Sequence, residues 1–218
     1  MVPNNRIVKS EETLRVALFW PRGPNIYHLF PLSLGYLKSN TVDPQFELQG
    51  FDCAIEDVDA WDSKVAEFLS EFQPHVVGVS VWSAFFPQGL ELVRHARQLN
   101  SEVVTVMGGV HATSYPVKTA QIEEVDFVVA GEAEFSFTAF LTELCSADPD
   151  WTCVPGLYWQ ADDGKLCQNA MEVVEDIDLI RFPDYEFSEL DRYISKGYRM
   201  RASHPRNAPI WATRGCPY

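Results

Sequence analysis

The sequence predicts an α/β protein built on a parallel sheet. Short apolar runs alternate with helix-like segments, the runs are almost continuously apolar, and a Gly-Gly pair ends one of them. Alternation of strands with helices is typical of parallel sheets with right-handed crossovers. Near-continuous apolar strands are typical of sheets that helices cover on both faces.

Length and charge limit the classes of protein. The 218 residues are enough for one domain and part of a second, taking about 100–200 residues per domain. The net charge of −14 disfavours a nucleic-acid partner. No apolar run approaches the ~18 residues that span a membrane, and no signal-peptide core precedes the first strand. We therefore expect a cytoplasmic protein without a membrane partner.

The predicted sheet has five strands. In chain order they are residues 14–20, 46–51, 75–81, 103–107 and 127–130. The predicted strand order is 2-1-3-4-5, as in flavodoxin-like (Rossmann-like) domains, with strand 2 at an edge. In such sheets ligands bind beyond the carboxyl ends of the strands, here at the switch point between strands 1 and 3.

Apolar residues three and four positions apart predict the intervening helices. The clearest pattern covers 58–72, and Pro31 can begin the first helix, with Gly35 facing the sheet and allowing a close approach. A third helix is predicted with Leu92, Val93, Ala96 and Leu99 on one face, followed by helices over 115–122 and 137–144.

The alternation of strand-like and helix-like segments ends after Asp150. An Asp-Gly turn predicts a hairpin of 157–160 with 166–169. Residues 171–207 are acidic and then mixed, and predict a connector with little core, followed by a short strand over 209–213. The predicted units are an α/β domain (13–147), a hairpin and connector (148–207), and the beginning of a further domain (208–218).

Four loops meet at the carboxyl edge of the predicted sheet: 21–25, 80–86, 108–114 and 131–135. Glycines 108 and 109 allow a bulky ligand to lie against bare backbone, although a tight strand-to-helix turn without a ligand explains them as well. The candidate ligand-binding residues in these loops are Pro24, Ser80, Trp82, Ser83, Gly108, Gly109, Val110, His111, Gly131, Glu132 and Glu134.

The aromatic, histidine and glutamate side chains among these candidates also have a structural explanation. The aromatic residues can belong to the core, His111 can bond a backbone carbonyl, and the two glutamates can complement a helix dipole. The sequence contains no phosphate loop, GxGxxG, GxSxG or zinc-like spacing. The domain is therefore predicted to bind a ligand without a catalytic set of its own.

The five cysteines are scattered and odd in number, and no Cys-x-x-Cys pair is present. This pattern argues against a disulfide framework. Cys216 differs from the others because it follows a predicted strand and stands between Gly215 and Pro217. A thiolate there can begin an iron–sulfur ligand motif, although one cysteine cannot hold a cluster and a stray thiol is the alternative.

Four ordered motifs resemble the N-terminal part of cobalamin (B12)-dependent radical SAM enzymes. They are Pro-His-Val-Val-Gly-Val-Ser at 74–80, Gly-Gly-Val-His-Ala-Thr at 108–113, Gly-Glu-Ala-Glu at 131–134 and Thr-Arg-Gly-Cys-Pro-Tyr at 213–218. The third has Ala133 where the family's Gly-Glu-Gly-Glu turn has glycine. The acidic connector is also similar to the one in that family.

The resemblance implies a corrinoid cofactor on the α/β domain and a C-terminal barrel that binds S-adenosylmethionine and a [4Fe–4S] cluster. Cys216 would be the first cysteine of the family's CxxxCxxC motif, with the others beyond Tyr218. The chain would then be the N-terminal part of a methyltransferase-like enzyme. The alternative is a flavodoxin-like module that binds a nucleotide or flavin, or a protein-interaction scaffold.

One departure from the family concerns the lower axial ligand of cobalt. Many B12 domains supply a histidine from an Asp-x-His-x-x-Gly loop after the first strand. Residues 21–28 read Pro-Arg-Gly-Pro-Asn-Ile-Tyr-His, so His28 lacks the aspartate and glycine of that motif. His28 can approach the cobalt, but because of this departure from the family we expect a cobalt with water or no protein ligand on its lower face.

Overall fold

The fold is described from a computed structural model that covers residues 13–23, 30–57, 60–196 and 206–214. Pro24, His28 and Cys216 lie outside the described residues, so the expectations for them stay predictions. Within the described ranges, no helix is both long enough and apolar enough to cross a bilayer.

The residues that the structure describes form one sheet of seven strands, in the order β2-β1-β3-β4-β5-β6-β7. The strands are β1 (Leu14–Trp20), β2 (Phe46–Asp52), β3 (Val76–Ser80), β4 (Val104–Gly108), β5 (Phe127–Val129), β6 (Leu157–Gln160) and β7 (Leu166–Gln168). The first five pair in parallel, which confirms the predicted order and the edge position of β2. The predicted hairpin, β6–β7, extends the sheet by antiparallel pairing with β5.

Helices cover both faces of the sheet. They are α1 (Leu32–Asn40), α2 (Trp61–Phe72), α3 (Phe86–Leu99), α4 (Gly109–Ser114), α5 (Pro116–Ala120), α6 (Ser136–Leu144) and α7 (Leu190–Ser195). The alternate residues Val16 and Leu18 of β1 face α1 and α6, whereas Ala17 and Phe19 face α2 and α3. Because successive strand residues point to opposite faces, burial on both sides requires the continuous apolar runs seen in the sequence.

Two helix predictions were wrong in detail. Leu99 is 55% exposed, because α3 ends there and its side chain no longer faces the sheet. Residues 109–114, predicted as a loop, form α4, and Pro116 begins α5 after a break at Tyr115. The break has a local cause, since a residue before proline is held away from the helical region.

Gly35 makes its close approach to the connector, and the prediction that it faces the sheet was wrong. A Cβ on Gly35 would lie 2.7 Å from the carbonyl oxygen of Asp184 and 2.8 Å from Oγ of Ser188. The Asp184 amide also donates to the Gly35 carbonyl, at 3.0 Å. Glycine therefore lets the connector cross directly over α1.

The connector also has a core of its own, contrary to the expectation. Tyr193 of α7 is fully buried with Phe30, Tyr36 and Ile55. Its hydroxyl donates to Oδ2 of Asp52 at 2.5 Å. Burial raises the pKa of Asp52 to about 7 against the lowering effect of this bond. The connector is thus fixed to the end of β2.

Residues 209–213 are not a strand in the structure. A strand requires a hydrogen-bonded neighbour, and no described segment pairs with this one. The segment instead lies against α1, where Trp211 stacks on Tyr36 with ring centroids 4.9 Å apart.

Candidate functional site

A cavity of about 840 Å³ lies at the carboxyl edge of the parallel strands. Ligand pockets usually measure about 300–1,000 Å³, so this one suits a large ligand. Its lining is mostly apolar and comes from the ends of β1, β3, β4 and β5, from α1 and α4, from the turn before α6, and from two later segments. The later segments contribute Met171, Glu172, Val173, Trp211 and Arg214.

The cavity opens where the chain leaves neighbouring strands in opposite directions. The helix after β1 packs on one face of the sheet and the helix after β3 on the other. Parallel sheets bind ligands at such a switch point. Ser33 of α1 and Ser80 of β3 line the opening, with their Oγ atoms 3.4 Å apart.

The two glycines after β4 have different roles. Gly109 has φ of +86°, and a Cβ there would lie 2.9 Å from both N and O of Val81. Gly108 has an extended φ of −138°, and its Cβ would meet only the Val129 carbonyl oxygen, at 3.4 Å. Gly109 is therefore required by the fold, whereas Gly108 leaves free space along the cavity wall.

The structure brings most of the predicted residues together. Those that line the cavity are Ser80, Trp82, Gly108, Gly109, Val110, Gly131, Glu132 and Glu134. Ser83 and His111 do not line it and instead bond each other, with Nδ1 of His111 3.0 Å from Oγ of Ser83. His111 also stacks on Phe86, and burial lowers the pKa of its imidazole. The alternative of a satisfied structural histidine therefore describes His111 better.

The two glutamates hold neighbouring segments against the cavity. Both precede α6, and the N-cap of this helix, Phe135, makes no side-chain capping hydrogen bond. Oε2 of Glu132 accepts from the Val174 amide at 2.8 Å, which fixes the 171–174 segment. Oε1 of Glu134 accepts from Nη2 of Arg214 at 2.5 Å, and Glu132 lies 3.8 Å from the same guanidinium.

Arg214 is the main site residue that the sequence reasoning missed. Its guanidinium carbon lies 5.0 Å from the ring centroid of Tyr36 and 4.8 Å from that of Trp211, so it combines ion pairing with cation–π contacts. The Thr-Arg-Gly-Cys motif contains this arginine. The two glutamates of the 131–134 turn were the sequence signal for its partner. No comparable sequence signal marked Ser33 or Met171.

The described part of the chain contains no candidate metal site. Among these residues, no group of three or more His, Cys, Asp or Glu side chains could hold a metal ion. No described histidine lines the cavity either.

Comparison with known proteins identifies the domain. Residues 37–141 match the family described as the B12 binding domain. Residues 37–141, just under half of the chain, are therefore similar to a B12-binding domain. This confirms the resemblance drawn from the ordered motifs, and the matched residues contain four of the five parallel strands, β2 to β5.

The curated relatives of this chain are longer proteins. The chain is 26% identical over 189 residues to an uncharacterized methyltransferase of Pyrococcus horikoshii, covering 86% of this chain and 39% of that protein. It is 29% identical over 164 residues to the anaerobic magnesium-protoporphyrin IX monomethyl ester cyclase of Rubrivivax gelatinosus, covering 73% and 28%. The chain therefore spans less than half the length of these relatives.

Solved structures share the fold. The radical S-adenosylmethionine methyltransferase TsrM from Kitasatospora setae, with cobalamin and a [4Fe–4S] cluster bound, matches 74% of this chain with a TM-score of 0.59 and 22% identity, over 32% of its own chain. The cobalamin-dependent S-adenosylmethionine radical enzyme OxsB, with aqua-cobalamin and S-adenosylmethionine bound, matches 85% with a TM-score of 0.65 and 19% identity, over 25% of its own chain.

Proposed function

We propose that this chain is the cobalamin-binding part of a B12-dependent radical SAM enzyme of the methyltransferase type. The corrinoid would lie at the carboxyl edge of the sheet, facing a barrel that holds S-adenosylmethionine and a [4Fe–4S] cluster. The observation that carries this proposal is the cavity itself, which the B12-binding domain forms and the segment ending at Arg214 closes.

The residues present fit a corrinoid. Gly108 leaves bare backbone beside a deep apolar space, which suits the nucleotide tail, and Ser33 and Ser80 offer hydroxyls at its entrance. Trp82 and Val110 are exposed at the edge of the sheet and suit the flat face of the corrin ring. When bound, cobalamin would supply a cobalt centre that accepts and donates a methyl group. The protein residues would position it and exclude water.

The lower face of the cobalt would have no histidine from the described residues. The cavity lining contains serine, glycine and apolar side chains near the strand ends, and His111 is engaged with Ser83 and Phe86 outside it. His28 lies outside the described residues, so the absence of a protein ligand below the cobalt stays a prediction.

Arg214 supports a link to the cluster site. It is part of the cavity wall and precedes Cys216 by two residues, a chain length of at most about 7 Å. A cluster ligated by Cys216 would therefore be tethered close to the corrinoid. Cys216 and Pro24 enter this proposal as candidates from the sequence alone.

The alternative ligands, a nucleotide or a flavin nucleotide such as FMN, carry a phosphate monoester with a charge of about −2. The nucleotide tail of cobalamin carries only a singly charged phosphodiester, so an acidic cavity disfavours the alternatives more strongly. The charged lining residues of this cavity are the three glutamates 132, 134 and 172 and the single arginine 214. Arg214 is already paired with carboxylates, and no described lysine lines the cavity. Phosphate recognition normally uses free cationic side chains or exposed amides at a helix N-terminus.

The test is an absorbance titration of the purified chain with hydroxocobalamin, followed by gel filtration. We expect near-stoichiometric corrinoid to elute with the protein and FMN to elute apart from it. Ser33→Trp, which places an indole in the cavity, should abolish retention. Ser70→Trp, on the exposed face of α2, is the matched control and should retain corrinoid as the unmodified chain does. Retention of FMN in place of hydroxocobalamin would overturn the proposal.

A further inference from the structure

Only one of the two carboxylate oxygens of Glu134 has a hydrogen-bond partner among the described residues. This residue is 6% exposed and lines the cavity, and its Oε1 is held by Arg214. Its Oε2 is buried and has no hydrogen-bond partner among the described residues. An unpaired buried acceptor costs about 1–3 kcal/mol, and more when it is charged. Such an atom on a residue that lines a binding cavity indicates a donor that the ligand supplies.

The chemistry of the missing partner follows from the carboxylate. An ionised carboxylate only accepts hydrogen bonds, so the partner must carry N–H or O–H groups. Three of the four charged residues in the cavity lining are acidic, which disfavours an anionic ligand group at this point. Arg214 fixes the orientation of the Glu134 carboxylate before any ligand arrives.

We infer that Glu134 is a specificity-determining residue that accepts a hydrogen bond from a primary amide on the rim of the corrin ring. This rests on the proposed function, since the cobalamin rim carries acetamide and propionamide groups whose nitrogen atoms donate. One carboxylate then holds both the cofactor, through Oε2, and the segment that ends at Arg214, through Oε1.

The inference predicts rejection of corrinoids in which that amide is a carboxylate. Two carboxylates in contact repel each other, and the bond of the amide to a charged acceptor is lost at the same time. Hydrolysis of a single propionamide or acetamide of hydroxocobalamin gives a set of monocarboxylic acid isomers. We expect one of these isomers to bind about 10–100-fold more weakly than hydroxocobalamin itself.

The experiment measures dissociation constants of hydroxocobalamin and of its separated monocarboxylic acids for the unmodified chain and for Glu134→Gln. Glutamine both accepts and donates, so the preference for the amide over the carboxylate should fall at least about tenfold for the same isomer. Glu143→Gln, on α6 and outside the cavity, is the matched control and should keep the full preference.

The outcomes separate the two proposals. If hydroxocobalamin is not retained by the unmodified chain, the proposed function fails and this inference falls with it. If it is retained but every isomer binds equally well, or Glu134→Gln keeps the preference, only the role of Glu134 is overturned. If circular dichroism shows that Glu134→Gln does not fold, the dissociation constants of the isomers for the unmodified chain still decide whether the protein recognises an amide on the rim of the corrin ring.

Discussion

Replacing Gly109 by alanine tests whether this glycine serves the fold or a ligand. The φ of +86° costs a residue with a Cβ about 1–2 kcal/mol. The new methyl would also lie 2.9 Å from two backbone atoms of Val81, which cannot rotate away. Overpacking of this kind costs about 1–3 kcal/mol, so we expect the free energy of unfolding to fall by about 2–4 kcal/mol.

Gly108→Ala is the matched comparison. Its φ is extended, and the nearest atom to the new Cβ, apart from its chain neighbours, would be 3.4 Å away, an ordinary contact. We expect its free energy of unfolding to stay within about 1 kcal/mol of the original, because alanine also restricts the unfolded chain. The methyl would occupy the cavity wall, so hydroxocobalamin affinity should fall although stability does not.

Urea unfolding followed by circular dichroism measures both stabilities, and thermal unfolding provides a second reading. A loss of about 2–4 kcal/mol in a domain of this size lowers Tm by roughly 5–15 °C. The reasoning is refuted if Gly109→Ala is as stable as the original chain, or if Gly108→Ala is destabilised equally. In either case the conformation after β4 would differ from the one described.

Two further predictions concern the connector. Because burial raises the pKa of Asp52 to about 7, the folded chain holds this proton more tightly than the unfolded chain, and the resulting stabilisation is lost as pH rises from about 4 through 7. Between pH 5 and 7 the free energy of unfolding of the unmodified chain should therefore fall by roughly 1–2 kcal/mol more than that of Asp52→Asn. Urea unfolding measures both, and parallel pH profiles of the two proteins would contradict this. The methyl of Gly35→Ala would lie 2.7 Å from the Asp184 carbonyl oxygen. Because this clash is relieved when the connector moves away from α1, we expect limited proteolysis of the connector to become several-fold faster. Unchanged cleavage would show that the connector shifts without detaching.

The sequence determined the local and periodic features of this protein. Five continuous apolar runs predicted the parallel core, because strands buried on both faces need apolar residues at every position. The ordered motifs predicted the similarity to B12-binding domains, and most of the predicted site residues that the structure describes line the cavity. These features depend on neighbours in the chain, on strand order and on residue type, all of which the sequence contains.

Contacts between distant segments were decided only by the tertiary structure. Arg214 meets Glu134 across 80 residues, and Gly35 meets Asp184 through a crossing that no periodicity encodes. Ser83 and His111 were predicted to face a ligand but bond each other, because α4 begins at Gly109 and turns the imidazole onto Phe86. Which partner a polar side chain finds depends on where packing of the apolar core places it, and only the folded chain fixes that position.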